Sequence, residues 1–289
     1  MFRLVASGFC FGAIGIFVKN IGPDISSVLL SSLRLLVTPL LILAYLFISG
    51  RIEEIYVTAR KEKVISLLGG VLGFGPTFGF YVSSLKMIPV SEAVFLHFLA
   101  YPLSTIIYKN LKEKGGVKAS EWIAFFLGLI GISLIYGLSP AFSGGNLLGY
   151  TYAFLSGIFY AVTTVCLKEL GRNRTLMGTV FWPMLLGGGV LVPLSLLKGP
   201  VINLNSRTLL SLSGLILVST FLGFLMMAWG MRAVQAHVGS ITLILSEPLA
   251  AVLLAWMVLG ETPSLSVLFG GLFVVGSGTA LRAGRLDGK

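Results

Sequence analysis

Long apolar runs, separated by short polar loops, follow one another along the whole chain. A helix that crosses a bilayer needs about 20 mostly apolar residues, and the runs have roughly that length. We therefore predict an all-α integral membrane protein with ten transmembrane helices, at residues 2–19, 26–49, 64–84, 92–109, 120–138, 147–167, 176–197, 208–230, 239–259 and 264–281. The loops are too short to fold as a separate domain, so the function must lie within the bilayer.

The second half of the chain repeats the first. An offset of 146 positions aligns Pro248 with Pro102, and an offset of 149 aligns SGIFYA at Ser156 with SGFCFG at Ser7. Apolar helices rich in Leu and Gly also resemble one another by composition alone. The prolines and the Ser-Gly pairs nevertheless share nearly one register, so we interpret the similarity as internal repetition.

The stretch LSPAFSGGNLLG, rich in Gly, Ser and Pro, separates the two halves. We predict a first five-helix repeat at residues 1–138, an extracellular linker at 139–146 and a second five-helix repeat at 147–289. Because each repeat has an odd number of spans, the second copy enters the membrane from the opposite face. Such inverted-topology repeats recur in secondary transporters.

Composition agrees with a membrane protein, and the positions of the charges predict its orientation. Hydrophobic residues make up 56% of the chain, charged residues 11%, and the mean hydropathy is +0.96. The net charge of +10 could suggest a nucleic-acid partner, but the basic residues concentrate in loops on one side. Of the 21 basic residues, sixteen lie on that side, Arg34 lies within a span, and four lie on the other side, namely Lys19, Lys86, Lys198 and Arg207. This bias predicts cytoplasmic N- and C-termini in a multi-pass protein of the cytoplasmic membrane, and no nucleic-acid partner.

Arg34 and Glu247 are charged residues that fall inside predicted spans. Arg34 lies near mid-depth, where a charged side chain costs about 2.5–3.5 kcal/mol. It either anchors an anionic group such as a carboxylate or forms a structural ion pair or capping contact.

Glu247 lies about 12 Å from the cytoplasmic end of its span. A low-dielectric setting disfavours its charged form, so it could exchange protons near neutral pH. Alternatively, Glu247 only neutralises Arg34, and Pro248 only kinks the helix.

Polar side chains also line one face of several predicted helices. His97 and Tyr101 are four residues apart in the fourth span, and the third and sixth spans repeat this arrangement. Ser, Thr and Tyr also join membrane helices by hydrogen bonds, and a lone His97 suits a hydrogen-bonded core histidine. The agreement over three helices predicts a wet central cavity. The expected substrate contacts are Arg34, Thr77, Tyr81, His97, Tyr101, Tyr160, Trp182 and Ser240, with Glu247 as the proton-coupling residue and helix kinks at Pro102 and Pro248.

The other acidic residues are expected at or near water. Glu92 and Lys86 flank the start of the fourth span and are expected to be solvated at the outer face. Glu247 is therefore the one acid that we expect deep in the helix bundle.

Three segments carry a resemblance to a known family. They are SSLRLLVTPLLIL around Arg34, SEPLAAVLLAWMVLGET around Glu247, and the glycines of FGGLFVVGSG. The chain resembles the drug/metabolite transporter superfamily, and within it the EamA-type transporters of ten helices. The first half departs from the pattern, because Tyr101 precedes its proline where the second half has Glu247. The resemblance implies an alternating-access carrier for small metabolites or drugs, often an exporter.

We predict a secondary transporter, an exporter or exchanger, that moves a small metabolite, amino acid or drug-like compound across the cytoplasmic membrane. Its partners would be the substrate, the lipid bilayer and, as a candidate coupling ion, the proton, in a monomer or homodimer without cofactor or metal. One alternative is a flippase for a lipid-linked compound. Another is an intramembrane enzyme with His97 as its base, although the sequence has no HExxH, GxSxG or phosphate-binding motif. We predict that the protein is not an enzyme.

Overall fold

The described part of the chain is helical. The computed structural model describes residues 1–56, 60–98, 103, 106–107, 110–111, 119–138, 146–171, 175–197, 199–233 and 236–283. Outside the helices, an isolated antiparallel β-bridge joins Ile25 to Ile202. The prediction of an all-α membrane protein is confirmed at this level.

Thirteen α-helices and three π-helical segments make up the described fold. The helices are α1 (Phe2–Gly12), α2 (Ile14–Ile21), α3 (Ser27–Ile48), α4 (Arg60–Leu68), α5 (Gly75–Leu85), α6 (Val90–His97), α7 (Ala119–Leu138), α8 (Leu147–Leu170), α9 (Leu176–Leu197), α10 (Ser206–Gly214), α11 (Gly223–Arg232), α12 (Ala236–Leu254) and α13 (Leu265–Ala283). The π-helical segment Gly69–Phe74 joins α4 to α5, Leu215–Leu222 joins α10 to α11, and Ala255–Leu259 continues α12.

Seven helical stretches within the described residues are long and apolar enough to cross a membrane. They are Phe2–Asp24, Ser27–Ile48, Lys61–Leu85, Leu147–Leu170, Leu176–Leu197, Ser206–Arg232 and Thr242–Leu259. Trp122–Ile135 and Leu265–Ser277 are shorter apolar helices. Much of the second half of the predicted fourth span lies outside the described residues. The chain is therefore a multi-pass membrane protein, and the number of ten spans stays a prediction.

Each long helix has one face toward its neighbours and one toward the outside, as α12 illustrates. Ile244 and Ala251 are 0% and 1% exposed, whereas Leu245, Leu249 and Trp256 are 50–58% exposed. An exposed row of large apolar side chains would be costly in water, but it suits contact with lipid tails. The apolar composition of the spans thus has a direct cause in the solvent that surrounds them.

The two halves of the chain use equivalent helix pairs. When each helix is replaced by its counterpart in the other half, the same set of packed pairs results. In one set α1 packs against α11 and α12, and in the other α8 packs against α5 and α6. Two further pairs, α3 with α9 and α7 with α13, connect the halves. The π-helical segments at Gly69–Phe74 and Leu215–Leu222 begin 146 positions apart, which is the offset of the aligned prolines. This packing supports the predicted inverted repeats, whose boundaries stay a prediction.

The start of α6 is held by Glu261, in the segment before α13, together with Lys19 of α2. Glu261 accepts a hydrogen bond from the Val90 backbone nitrogen at 2.7 Å and pairs with Lys19 at 3.3 Å. A carboxylate at a helix N-terminus satisfies a free N–H group and complements the helix dipole. These contacts fix the helix that carries His97.

The prediction that Glu92 and Lys86 are solvated is wrong. Glu92 is 5% exposed and accepts a hydrogen bond from the hydroxyl of Tyr150, which is fully buried. Lys86 is partly buried and donates to the Ile25 carbonyl oxygen. Desolvation lowers the pKa of the Lys86 ammonium group to about 8, although the negative charge of Asp24 acts to raise it. Both side chains lie near a predicted helix end, but packing against distant parts of the chain covers them: Tyr150 of α8 covers Glu92, and the backbone at Ile25 contacts Lys86.

Candidate functional site

Arg34 lies at the centre of the bundle, and its side chain is 0% exposed. Its Nε donates a hydrogen bond to Thr220 Oγ1 at 2.6 Å. Its guanidinium carbon lies 4.4 Å from the centre of the Phe78 ring, in cation–π geometry. Ser31 Oγ donates to the Phe78 carbonyl oxygen at 2.9 Å, which holds α5 against α3 at this point. The cation is thus positioned by a hydroxyl group and by an aromatic ring.

Two nitrogens of the same guanidinium have no partner. Nη1 and Nη2 of Arg34 are buried and make no hydrogen bond in the described structure, and the same holds for Thr38 Oγ1 and Ser219 Oγ. Buried donors without acceptors are costly, and a charged donor is the most costly of them. Such groups usually have an explanation in function or in an unseen partner. Here they concentrate around one side chain.

A π-helical segment positions the hydroxyl that contacts Arg34. In Leu215–Leu222 the backbone is wound more widely than in an α-helix, and Thr220 Oγ1 donates to the Leu215 carbonyl oxygen at 2.7 Å. Its lone pairs remain available to Arg34 Nε. Ser219, the neighbour in sequence, is 0% exposed. Single π-helical turns are frequent at functional sites, because they shift side chains out of the regular helical register.

Glu247 belongs to the inward face of α12. Leu243, Ile244, Ala250 and Ala251 flank it on that face and are at most 5% exposed, whereas Glu247 itself is only partly buried. Glu247 thus shares the face of α12 that packs against neighbouring helices and keeps part of its surface accessible.

Arg34 and Glu247 interact electrostatically without forming an ion pair. Their charges act on each other, and Arg34 also acts on Tyr81 and His97. No direct salt bridge joins Arg34 to Glu247, although both residues are described. The two charges thus act on each other without direct contact.

His97 lies between two aromatic rings. Its ring centre is 4.6 Å from that of Tyr81 and 4.7 Å from that of Tyr160. Its Nδ1 is hydrogen-bonded to Ser156 Oγ at 2.9 Å. These contacts order the imidazole and leave Nε2 as its other polar atom. The arrangement suits an aromatic wall beside the charged site.

The structure brings together some of the predicted site residues and separates others. Tyr81, His97 and Tyr160 form one stack, Arg34 acts on two of its members, and Thr77 Oγ1 lies 3.4 Å from Thr163 Oγ1 on α8. Trp182 instead donates its indole N–H to the Ile55 carbonyl oxygen at 2.6 Å, so its polar atom is used at the helix end. The positions outside the described residues are Tyr101, Pro102 and the side chain of Ser240, while Pro248 lies within α12.

Sequence reasoning missed two residues that contact Arg34, Phe78 and Thr220, and two whose buried hydroxyls have no partner among the described residues, Thr38 and Ser219. For Thr38 a signal was present, because it follows Arg34 by four residues and so shares its helical face. The other three come from distant spans. No local pattern in the sequence connects them to Arg34.

Comparisons with known proteins agree over nearly the whole chain. The sequence profile described as the EamA-like transporter family matches residues 1–137 and 147–281. A protein of Archaeoglobus fulgidus called an uncharacterized transporter is 28% identical over 276 residues, covering 94% of this chain and 92% of that protein. An uncharacterized transporter of Clostridium kluyveri is 25% identical over 259 residues, covering 82% of this chain and 81% of that protein.

A solved structure is similar in fold. It is titled only "Crystal structure of protein" and superposes with a TM-score of 0.67 at 18% sequence identity, covering 99% of this chain and 98% of that one. At this identity the similarity concerns the fold alone.

Proposed function

Because the chain belongs to the EamA-like transporter family, we propose that it is a secondary transporter that moves a small metabolite, amino acid or drug-like compound by alternating access. The substrate site lies between the two halves, around Arg34, Tyr81, His97, Tyr160 and Glu247. In this proposal the halves rock about that site and open it to one side of the membrane at a time. Glu247 couples the movement to protons, and no enzymatic step is part of the proposal.

The observation that carries this proposal is the buried guanidinium of Arg34 with two nitrogens unpaired. A residue that only stabilised the bundle would be expected to have all its donors satisfied. A residue that binds a substrate must keep donors available, and this lowers the stability of the protein. The location of Arg34 beside Glu247 and the aromatic stack matches a ligand site better than a structural contact.

Replacement of Arg34 by lysine tests this assignment. Lysine keeps the charge but loses the planar fork of donors. We expect weaker substrate binding, by about tenfold or more, because one charge-assisted hydrogen bond contributes about 1.5–3 kcal/mol. The measurement is counterflow of radiolabelled candidates in proteoliposomes, amino acids first and then cationic drugs, with KM compared between wild type and Arg34→Lys.

Arg51→Lys is the matched control, since Arg51 lies beyond the end of α3 and pairs with Glu54 there. It should leave KM unchanged. Both variants should keep a melting temperature near that of the wild type. A large loss of stability in Arg34→Lys, with unchanged KM in the surviving protein, would assign Arg34 to architecture.

We further propose that both termini face the cytoplasm. Single cysteines at Leu204 and Glu53, both exposed, probe the two sides in a background without Cys10 and Cys166. In intact cells an impermeant maleimide should label Leu204→Cys, while Glu53→Cys should react only after permeabilisation. Labelling of both positions in intact cells would contradict the orientation and the inverted repeats together.

A further inference from the structure

We propose that Arg34, Thr38 and Ser219 form a subsite for a carboxylate group of the transported molecule, and that a proton joins Glu247 when this carboxylate binds. The inference rests on the proposed transport function and names the chemical class that the same site takes. It adds two hydroxyl groups that the sequence did not single out and a charge balance that can be measured.

The donors of the subsite are buried polar atoms of Arg34, Thr38 and Ser219 that have no hydrogen-bond partner within the part of the chain that the structure describes. Nε is used by Thr220 Oγ1, and the face of the guanidinium is covered by Phe78. What remains is the end of the fork, Nη1 and Nη2, together with Thr38 Oγ1 and Ser219 Oγ. All four atoms are buried and unpartnered in the described structure. Thr38 follows Arg34 by four residues on α3, and Ser219 precedes Thr220, which Arg34 contacts, so we place both hydroxyls beside the fork. Two parallel N–H donors with hydroxyl donors beside them match the two oxygens of a carboxylate.

Charge selects a carboxylate over a phosphate. Arg34 contributes one positive charge, and the negative charge of Glu247 already acts on it. When a carboxylate binds, Arg34, an ionised Glu247 and the ligand together carry one negative charge in excess. One proton can remove it. A doubly charged phosphate would leave two in excess in a setting where uncompensated charge is expensive.

Glu247 is the group placed to take that proton. When a bound carboxylate pairs with Arg34 directly, Glu247 loses part of its compensation and keeps no ion pair of its own among the described residues. A neutral carboxylic acid is then the form that an apolar setting favours. The proton comes from the aqueous side to which the site is open, so binding of one carboxylate would take up about one proton.

Few other titratable groups are close enough to compete. Among the side chains that the structure describes, Arg34 and Tyr81 are the two that interact electrostatically with Glu247. The described side chains of α13 include no acid or base. The remaining titratable residues on the elements packed against α12 are Arg3 and Cys10 on α1, Lys19 on α2, Glu92 and His97 on α6, and Arg232 on α11.

The first experiment measures the melting temperature of the purified full-length protein by tryptophan fluorescence, in sodium acetate and in sodium chloride of equal ionic strength. Acetate should raise the melting temperature in a saturable way, because a ligand that binds only the folded state stabilises it. Arg34→Met should abolish the effect. Thr38→Val and Ser219→Ala should raise the apparent dissociation constant of acetate about tenfold, as expected for one lost hydrogen bond to a charged group.

Thr38→Val and Ser219→Ala also keep the test valid if Arg34→Met does not fold. Each removes a buried hydroxyl that has no partner, so neither should lower the melting temperature without acetate. Ser195→Ala is the matched control, since Ser195 is equally buried but donates to the Val192 carbonyl oxygen at 2.7 Å. It should leave the acetate effect unchanged.

The second experiment measures proton uptake during binding with a pH indicator in weakly buffered solution. In measurements at alkaline pH, so that Glu247 is ionised before binding, acetate should cause the uptake of about one proton per bound molecule in wild type and of none in Glu247→Gln. Glycine distinguishes an amino acid from a simple carboxylate such as acetate. Because its ammonium group can compensate the charge of Glu247, the binding of glycine should take up no proton. Uptake that persists in Glu247→Gln would move the proton to another group and overturn this part of the proposal.

Equal melting temperatures in acetate and chloride would overturn the subsite, as would an acetate effect that survives in Arg34→Met. The proposed transport function is tested separately, by counterflow. If counterflow identifies a substrate that has no carboxylate, the transporter assignment stands and the subsite falls. If no candidate from any chemical class shows counterflow, the transport proposal itself is contradicted.

Discussion

Replacement of Glu247 by glutamine is expected to abolish substrate uptake driven by a pH gradient and to leave substrate-for-substrate exchange in place. Glutamine has nearly the same size as glutamate but cannot take up or release a proton. If the carboxylate carries the coupled proton, the driving force of the gradient is lost while the site can still bind and reorient. Both activities must be measured on the same proteoliposomes, with gradient-driven uptake falling to the level of empty liposomes.

Glu53→Gln is the control for the Glu247 variant, since it makes the same chemical change at an exposed position outside the spans. It should leave both activities at the level of wild type. Persistent gradient-driven uptake in Glu247→Gln would show that Glu247 is a structural counter-charge for Arg34. The protein would then be a facilitator that needs no coupling group at this position.

Replacement of Gly187 by alanine is expected to destabilise the bundle strongly. A methyl group at this position would lie 2.7 Å from the Gly75 backbone nitrogen and 3.0 Å from the Gly70 carbonyl oxygen. These are main-chain atoms on both sides of the π-helical segment Gly69–Phe74, so they cannot move aside as a side chain could. Forced overpacking of this kind costs about 1–3 kcal/mol. The measurement is the melting temperature in detergent, together with counterflow activity.

Gly189, two residues further along the same helix, is the matched control. It is exposed, and a methyl group there would have nothing within 4 Å. Gly189→Ala should therefore leave the melting temperature unchanged or raise it slightly, because alanine favours the helix over glycine by about 1 kcal/mol. Equal effects of the two substitutions would mean that α9 does not pack against the third span as described.

The buried acid Glu92 shows where local sequence reasoning reached its limit. Its position at the start of a predicted helix indicated solvent, since polar residues usually mark helix ends in membrane proteins. The structure covers it with Tyr150, which lies 58 positions away in the sequence. Whether a residue at a helix end is in contact with water depends on which distant segment packs over it, and that contact is not visible in a local pattern.

Trp182 shows the same limit. Its place within an apolar span led us to expect a contact with the substrate. The structure shows its indole N–H bonded to the Ile55 carbonyl oxygen. Helical periodicity predicts which residues share a face, but not which neighbour that face meets.

The sequence by itself determined the membrane class, the family and the two charges on which the proposed function rests. Chain composition, the length of apolar runs and the presence of Arg34 and Glu247 inside such runs are local properties, and lipid penalises charge regardless of the fold. Only the tertiary structure decided what surrounds those charges. Thr220 and Ser219 lie more than 180 positions from Arg34, and a π-helical turn sets their register. Long-range packing brings such groups together, so the unpaired fork of Arg34 could be seen only in the folded protein.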